Sequence, residues 1–125
     1  MKLREQVLRL KRFDADEKRR KVEDLEMMLR DFDRMAADLD RQIDAEESRT
    51  GIKDKSHFSY STFAKSACQR RDNLLASIAD LMAKRDNAIA ERDNAVTDYQ
   101  RAQADARDQS DRSSLRSPAL GASVR

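Results

Sequence analysis

The sequence contains few of the residues that build a thick core or reverse a chain. It has no tryptophan, 5% aromatic residues, two glycines and one proline among 125 residues. A layered globular domain needs large apolar side chains inside and glycine or proline at its many turns, so this fold class is excluded. The 40% share of charged residues is typical of long helices and coiled coils.

Cysteine and long apolar runs are also scarce. The single cysteine, Cys68, excludes a disulfide framework within the chain and fits a reducing compartment. No uninterrupted apolar segment approaches the ~20 residues that a membrane span needs. Residues 1–13 lack the apolar core of a secretory signal, and we therefore expect a cytoplasmic protein.

Residues suited to catalysis or metal binding form no recognisable pattern. His57 is the only histidine, and Cys68 follows it by about three helical turns, which matches no metal-ligand spacing. The many carboxylates are typical of the solvated faces of a charged helix, and no glycine-rich phosphate loop is present. We expect no enzymatic activity, no cofactor and no metal site.

What the chain does contain is a regular apolar stripe between residues 22 and 46. Its members recur in steps of three and four, which predicts a helix with a heptad seam. A stripe this narrow cannot be buried by the helix alone, so a partner helix is required. The predicted seam consists of Val22, Leu25, Leu29, Phe32, Ala36, Leu39 and Ile43.

A second stripe follows after a turn. We expect helix 1 to end near Arg49 or Thr50, with Gly51 in the left-handed position that follows a helix, and Ser59 or Ser61 to cap helix 2. Cys68 shares the phase of this stripe, which predicts a small apolar seam residue. The predicted seam of helix 2 consists of Leu74, Ile78, Leu81, Ala88, Ala95 and Tyr99, accompanied by Phe63, Ala67, Leu75, Met82, Ile89 and Val96.

These signals predict an all-α fold, namely a long two-helix antiparallel coiled-coil hairpin with a disordered C-terminal tail. Helix 1 is expected over about 2–49, an ordered tip over 50–60 and helix 2 over about 61–109. Residues 110–125 are rich in serine and lose the apolar period, which predicts disorder.

The distribution of charge supports the antiparallel arrangement. Residues 1–21 hold nine Lys/Arg against four Asp/Glu, whereas residues 22–47 hold three against ten. Pairing residues whose numbers add to about 110 brings the two apolar stripes together. The same register places Arg71 near Asp40 and Arg85 near Asp24 or Glu26, and Arg92 repeats the Arg-Asp-Asn motif of both arginines. The agreement favours a hairpin over a parallel homodimer; a four-helix dimer of hairpins stays open.

Two groups of residues are candidate docking surfaces. Basic side chains surround seam positions filled by lysine in helix 1, and they are either ordinary surface charge neutralised by neighbouring acids or a site for a protein, nucleic acid or anionic membrane. The aromatic residues of the tip either cap the hairpin as a small cluster or dock a protein. The candidates are Lys11, Arg12, Lys18, Arg19, Arg20 and Lys21 in the basic group and Phe58, Tyr60 and Phe63 at the tip.

Several local segments carry a family resemblance. They are Leu8 to Phe13, Asp16 to Arg20, Asp33 to Ala36, Asp38 to Asp40, Glu46 to Ile52, His57 to Lys65 and Gln69 to Leu74. With these segments the chain resembles, over roughly residues 4–100, the FliJ-type flagellar export proteins in the version that alphaproteobacteria carry. The ordered tip followed by Arg-Arg-Asp-Asn-Leu is the most specific part.

The resemblance implies a non-enzymatic two-helix coiled coil of the flagellar type III export apparatus. Such a protein acts as a shaft in the hexameric export ATPase, contacts the export gate membrane protein and escorts substrate chaperones. It also implies a cytoplasmic location peripheral to the inner membrane at the flagellar base, with membrane association through the apparatus. Arg70 and Arg71 join the candidate partner-binding residues, and no nucleic acid is expected.

Overall fold

Two long helices make up the fold. The structure is a computed structural model that describes residues 2–124, with side chains described over 2–115. Helix α1 spans Lys2–Thr50 and helix α2 spans Thr62–Val124. The helices pack against each other, and the described residues contain no strand, so the predicted all-α helical hairpin is confirmed.

The end of α1 is determined by a glycine. Gly51 has a φ of +72°, and its N–H donates to the carbonyl of Glu47 at 2.8 Å, which satisfies one of the last free carbonyls of the helix. A side chain at this φ is strained, and glycine has none. The helix therefore ends where the sequence predicted.

The tip between the helices is a succession of hydrogen-bonded turns. Asp54 accepts from the backbone N–H of Ser56 at 3.0 Å and from its hydroxyl at 2.7 Å, and these bonds lower the pKa of the Asp54 carboxyl. The carbonyl of His57 accepts from the Tyr60 N–H at 3.0 Å. These local bonds explain why a segment with few apolar residues is ordered.

Ser61 caps α2 and joins it to α1. Its hydroxyl oxygen accepts from the N–H of Ala64 at 3.2 Å, as an N-cap does. The same hydroxyl donates to Glu46 at 2.8 Å, and Glu46 also accepts from Arg49 at 2.5 and 3.1 Å. The bonds from Arg49 and Ser61 lower the pKa of Glu46 to about 2.

The chain is divided into two compact units. The tip unit comprises Glu23–Asn87, and the terminal unit comprises Met1–Val22 with Ala88–Arg125. In the tip unit Ile43 packs with Ala67 and Cys68, and Leu39 packs against this cluster. The predicted seam positions of this unit are all buried or half-buried: Leu25, Leu29, Phe32, Ala36, Leu39, Ile43, Leu74, Ile78 and Leu81.

In the terminal unit small residues form the helix contact. The side chains that are buried are Ala15, Val22, Ala88 and Ala95, with Leu8 and Tyr99 half-buried. The predicted seam positions Lys11 and Lys18 are half-buried as well. Alanine allows two helices to approach closely but contributes little apolar area, so this unit buries fewer large side chains than the tip unit.

The observed register agrees with the predicted one in each unit. The numbers of the Asp40–Arg71 ion pair in the tip unit add to 111, and those of Lys18–Glu91 in the terminal unit add to 109. Arg71 and Asp40 are 2.9 Å apart, as the register requires. Arg85 is different, because among the described side chains its ion-pair partner is its neighbour Asp86, at 3.1 Å, rather than Asp24 or Glu26.

Two features of α2 differ from the sequence-based expectation: the width of its seam and its length. The face of α2 that packs against α1 is narrower than the apolar stripe of this helix, so three residues of the stripe are exposed, namely Phe63, Leu75 and Met82. Helix α2 also continues over residues 110–115, which the sequence assigned to the tail; these side chains are exposed, and the helix extends by adding one backbone hydrogen bond per residue. Its backbone is helical as far as Val124, and the side chains of 116–125 lie outside the described residues.

Candidate docking surfaces

The tip does not present its three aromatic residues as one surface. Tyr60 is buried, and its hydroxyl donates to Glu47 at 2.8 Å and lies 3.9 Å from the Cys68 sulfur. Burial, followed by the bond to Glu47, raises the pKa of Tyr60 above its ordinary value. Tyr60 therefore fastens the tip to α1 and α2, and it is a core residue rather than a docking residue.

Phe58 has the opposite environment. Its side chain is 95% exposed and stacks on His57, with ring centroids 4.7 Å apart and an angle of 19° between the rings. Phe63 is half exposed. A phenylalanine this exposed on an ordered turn buries almost no apolar area in the fold, so Phe58 is available to a partner.

Most of the predicted basic group is paired within the chain. Arg19 lies 3.0 Å from Asp16, and Arg20 lies 2.7 Å from Glu17. Glu91 of α2 lies 3.8 Å from both Lys18 and Lys21, and Asp14 lies 4.0 Å from Lys18. The interpretation of residues 18–21 as ordinary surface charge is favoured by this geometry. Sequence reasoning missed Glu91, although the predicted register places it opposite Lys18.

The basic residues at the start of α1 are not neutralised in this way. Residues 2–12 hold five Lys/Arg and one acid, Glu5. Among the side chains described over 2–115, none of these five forms an ion pair; they are Lys2, Arg4, Arg9, Lys11 and Arg12. Lys11 and Arg12 of the predicted basic group therefore differ from residues 18–21.

A groove in the tip unit is the surface that sequence reasoning did not identify. It has a volume of about 520 Å³ and is lined by Phe32, Met35, Asp38, Leu39 and Gln42 of α1 with Arg70, Asn73, Leu74 and Ser77 of α2. Asn73 and Ser77 are too short to cover the edge of the seam, so the groove opens onto seam residues. Two short polar side chains four residues apart on α2, Asn73 and Ser77, were the available sequence signal.

Arg70 provides an unpaired charge at this groove. Its side chain is exposed and makes no ion pair among the described side chains, whereas Asp38 is paired with Arg41. Arg71, the next residue, is occupied by Asp40, and this hydrogen bond raises the pKa of Arg71. The Nε atom of Arg71 is buried without a hydrogen-bond partner. Of the two predicted arginines, Arg70 alone is available to a partner.

The described residues show no grouping of three or more His, Cys, Asp or Glu that could hold a metal ion. Within the same residues, neither helix has a segment long and apolar enough to cross a bilayer. No family profile, curated protein or solved structure matches the chain. The exposed groups therefore have to be interpreted from their own chemistry.

Proposed function

We propose that the protein is a non-enzymatic adaptor of the flagellar type III export apparatus that docks partner proteins in the groove of its tip unit. The groove carries the docking part of the proposal, because it combines exposed apolar side chains with the unpaired charge of Arg70. Such a site fits a helix that presents apolar residues beside a carboxylate. The identity of the apparatus rests on the resemblance of residues 4–100.

The partners in this proposal are the export ATPase ring, the export gate and the substrate chaperones. A hairpin whose two helices cover each other's seams is suited to act as a shaft inside a ring, because its fold does not depend on the ring. Phe58 at the tip is a second contact for the same partners. The location that follows is the cytoplasmic side of the inner membrane at the flagellar base.

The test is co-purification of the full chain with each partner from the organism that encodes it. The groove variant Met35→Asp/Arg70→Glu should weaken binding by about tenfold or more, since both changes affect exposed docking groups. Circular dichroism should not change, because neither side chain is buried.

A matched control is available on α1. Met27 and Met35 are 54% and 53% exposed, and Arg30, like Arg70, is exposed and makes no ion pair among the described side chains. Met27→Asp/Arg30→Glu should bind like the wild type, because neither residue lines the groove. Equal losses in both variants would reject the groove as the docking site. Failure of the wild-type chain to retain any of the three partners would reject the export assignment itself.

A further inference from the structure

The first turns of α1 expose an apolar stripe that no other part of the described structure covers. Leu3, Leu10 and Phe13 are 74%, 68% and 63% exposed, and Val7 is 39% exposed. These positions follow one another by four, three and three residues, so they lie on one face of the helix. The opposite face carries Ala15, which is fully buried, and Leu8, which is half-buried.

The basic side chains beside this stripe form no ion pair among the described side chains. At 100° per residue, Lys2 and Arg9 lie along one edge of the stripe and Arg4 and Lys11 along the other. Asp105 of α2 lines a cleft with Arg4 and Lys11 but forms no ion pair with them. The segment from Lys2 to Phe13 is thus an amphipathic helical surface with basic residues on both edges.

We infer that this surface, residues 2–13, binds an anionic lipid membrane. The positive edges would face acidic headgroups, and the apolar stripe would enter the boundary between headgroups and acyl chains, as amphipathic helices do when they lie in the membrane plane. Nucleic acid is less suited to this surface, because a phosphate backbone offers nothing to four exposed apolar side chains. The surface is separate from the groove, so the inference does not depend on the proposed protein partners.

Vesicle co-sedimentation with the full chain tests the inference. Vesicles of phosphatidylcholine mixed with phosphatidylglycerol should bind the protein, and vesicles of phosphatidylcholine alone should bind it at least about tenfold less, because the edges attract anionic headgroups. Binding should weaken as salt is added, since screening shortens the range of the attraction. Equal binding to both vesicle types, or to neither, would overturn the inference.

Variants separate the stripe from its charges. Leu10→Ser/Phe13→Ser should lower anionic-vesicle binding by about tenfold or more, since these two side chains provide half of the inserted stripe. Arg4→Glu/Arg9→Glu, which reverses one charge on each edge of the stripe, should do the same. Arg19→Glu/Arg20→Glu changes the net charge equally but affects cations already paired with Asp16 and Glu17, so its loss should be smaller. Equal losses in the two charge variants would show unspecific attraction and reject the surface.

The absence of tryptophan allows a direct report on insertion. Phe13→Trp introduces the only tryptophan, and its emission should shift to the blue on anionic vesicles. Phe58→Trp, at the exposed tip position, should show no shift. If Leu10→Ser/Phe13→Ser keeps vesicle binding but loses the export ATPase, the stripe is a protein site and the membrane inference is wrong. The groove variant Met35→Asp/Arg70→Glu should bind vesicles normally, which keeps this test independent of the proposed function.

Discussion

The two halves of α1 use apolar residues in different ways. From residue 22 to residue 46 the apolar stripe is buried against α2, with Val22 and Ile43 nearly inaccessible. From residue 2 to residue 13 the helix exposes most of its apolar side chains, and alanine and lysine occupy much of the seam. The comparison teaches that apolar content alone does not locate the core of a two-helix protein. The phase of each residue relative to the partner helix decides whether it stabilises the fold or remains free for a ligand.

The largest expected effect is a difference in the free energy of unfolding between variants in the two halves of α1. Leu29→Ala should lower the free energy of unfolding by about 2–4 kcal/mol, because it removes a buried seam side chain. Leu10→Ala should change it by no more than about 0.5 kcal/mol, since Leu10 is exposed. Urea denaturation of both variants gives the comparison. A loss at Leu10 as large as at Leu29 would mean that the exposed stripe is part of the core.

The same contrast occurs between two aromatic residues of the tip. Tyr60→Phe removes the hydrogen bond to Glu47 and should lower the free energy of unfolding by about 1–2 kcal/mol. Phe58→Ser should leave it nearly unchanged, because the Phe58 side chain is exposed. Thermal denaturation followed by circular dichroism measures both. A stable Tyr60→Phe variant would contradict the role of its hydroxyl.

A smaller difference, in coupling free energy, is expected between two arginines of the repeated motif. A double-mutant cycle between Arg71 and Asp40 should give a coupling of about 0.5 kcal/mol, since the pair joins the helices but its carboxylate is exposed to solvent. The cycle between Arg85 and Asp86 should give a coupling close to zero, because these neighbours belong to one helix. Equal couplings would show that the register pair has no special part in joining α1 and α2.

The smallest effect is a dependence on pH at the junction of tip and helices. The pKa of Glu46 is lowered from 4.5 to about 2, so the ionised carboxylate stabilises the folded chain. This contribution is fully present above pH 4.5 and is lost as the pH falls toward 2. In the Glu46→Gln variant the melting temperature should therefore depend less on pH between these two values. Ser61→Ala removes one of the two bonds that lower this pKa and keeps the bond from Arg49, so it should reduce the pH dependence less than Glu46→Gln does.

Much of the fold could be predicted because its signals are local and periodic. Steps of three and four residues define each seam, Gly51 and Ser61 define the helix ends, and matching charges give the register. The docking surfaces depend on distances between helices that periodicity does not give. Glu91 approaches Lys18, Asn73 and Ser77 leave a groove beside Phe32, and neither result follows from one helix alone.

By itself, the sequence determined that this chain forms two long helices, where the first ends and which register unites them, because a narrow apolar stripe has to be covered by another helix. Only the tertiary structure decided which of the other apolar groups stay exposed and which of the charged groups stay unpaired. Tyr60 is buried in the core, whereas Phe58 is exposed. The basic residues of 18–21 form ion pairs with acidic residues, whereas the basic residues of 2–12 form none among the described side chains. The physical reason is that burial and ion pairing depend on what lies within a few ångströms across the helix contact.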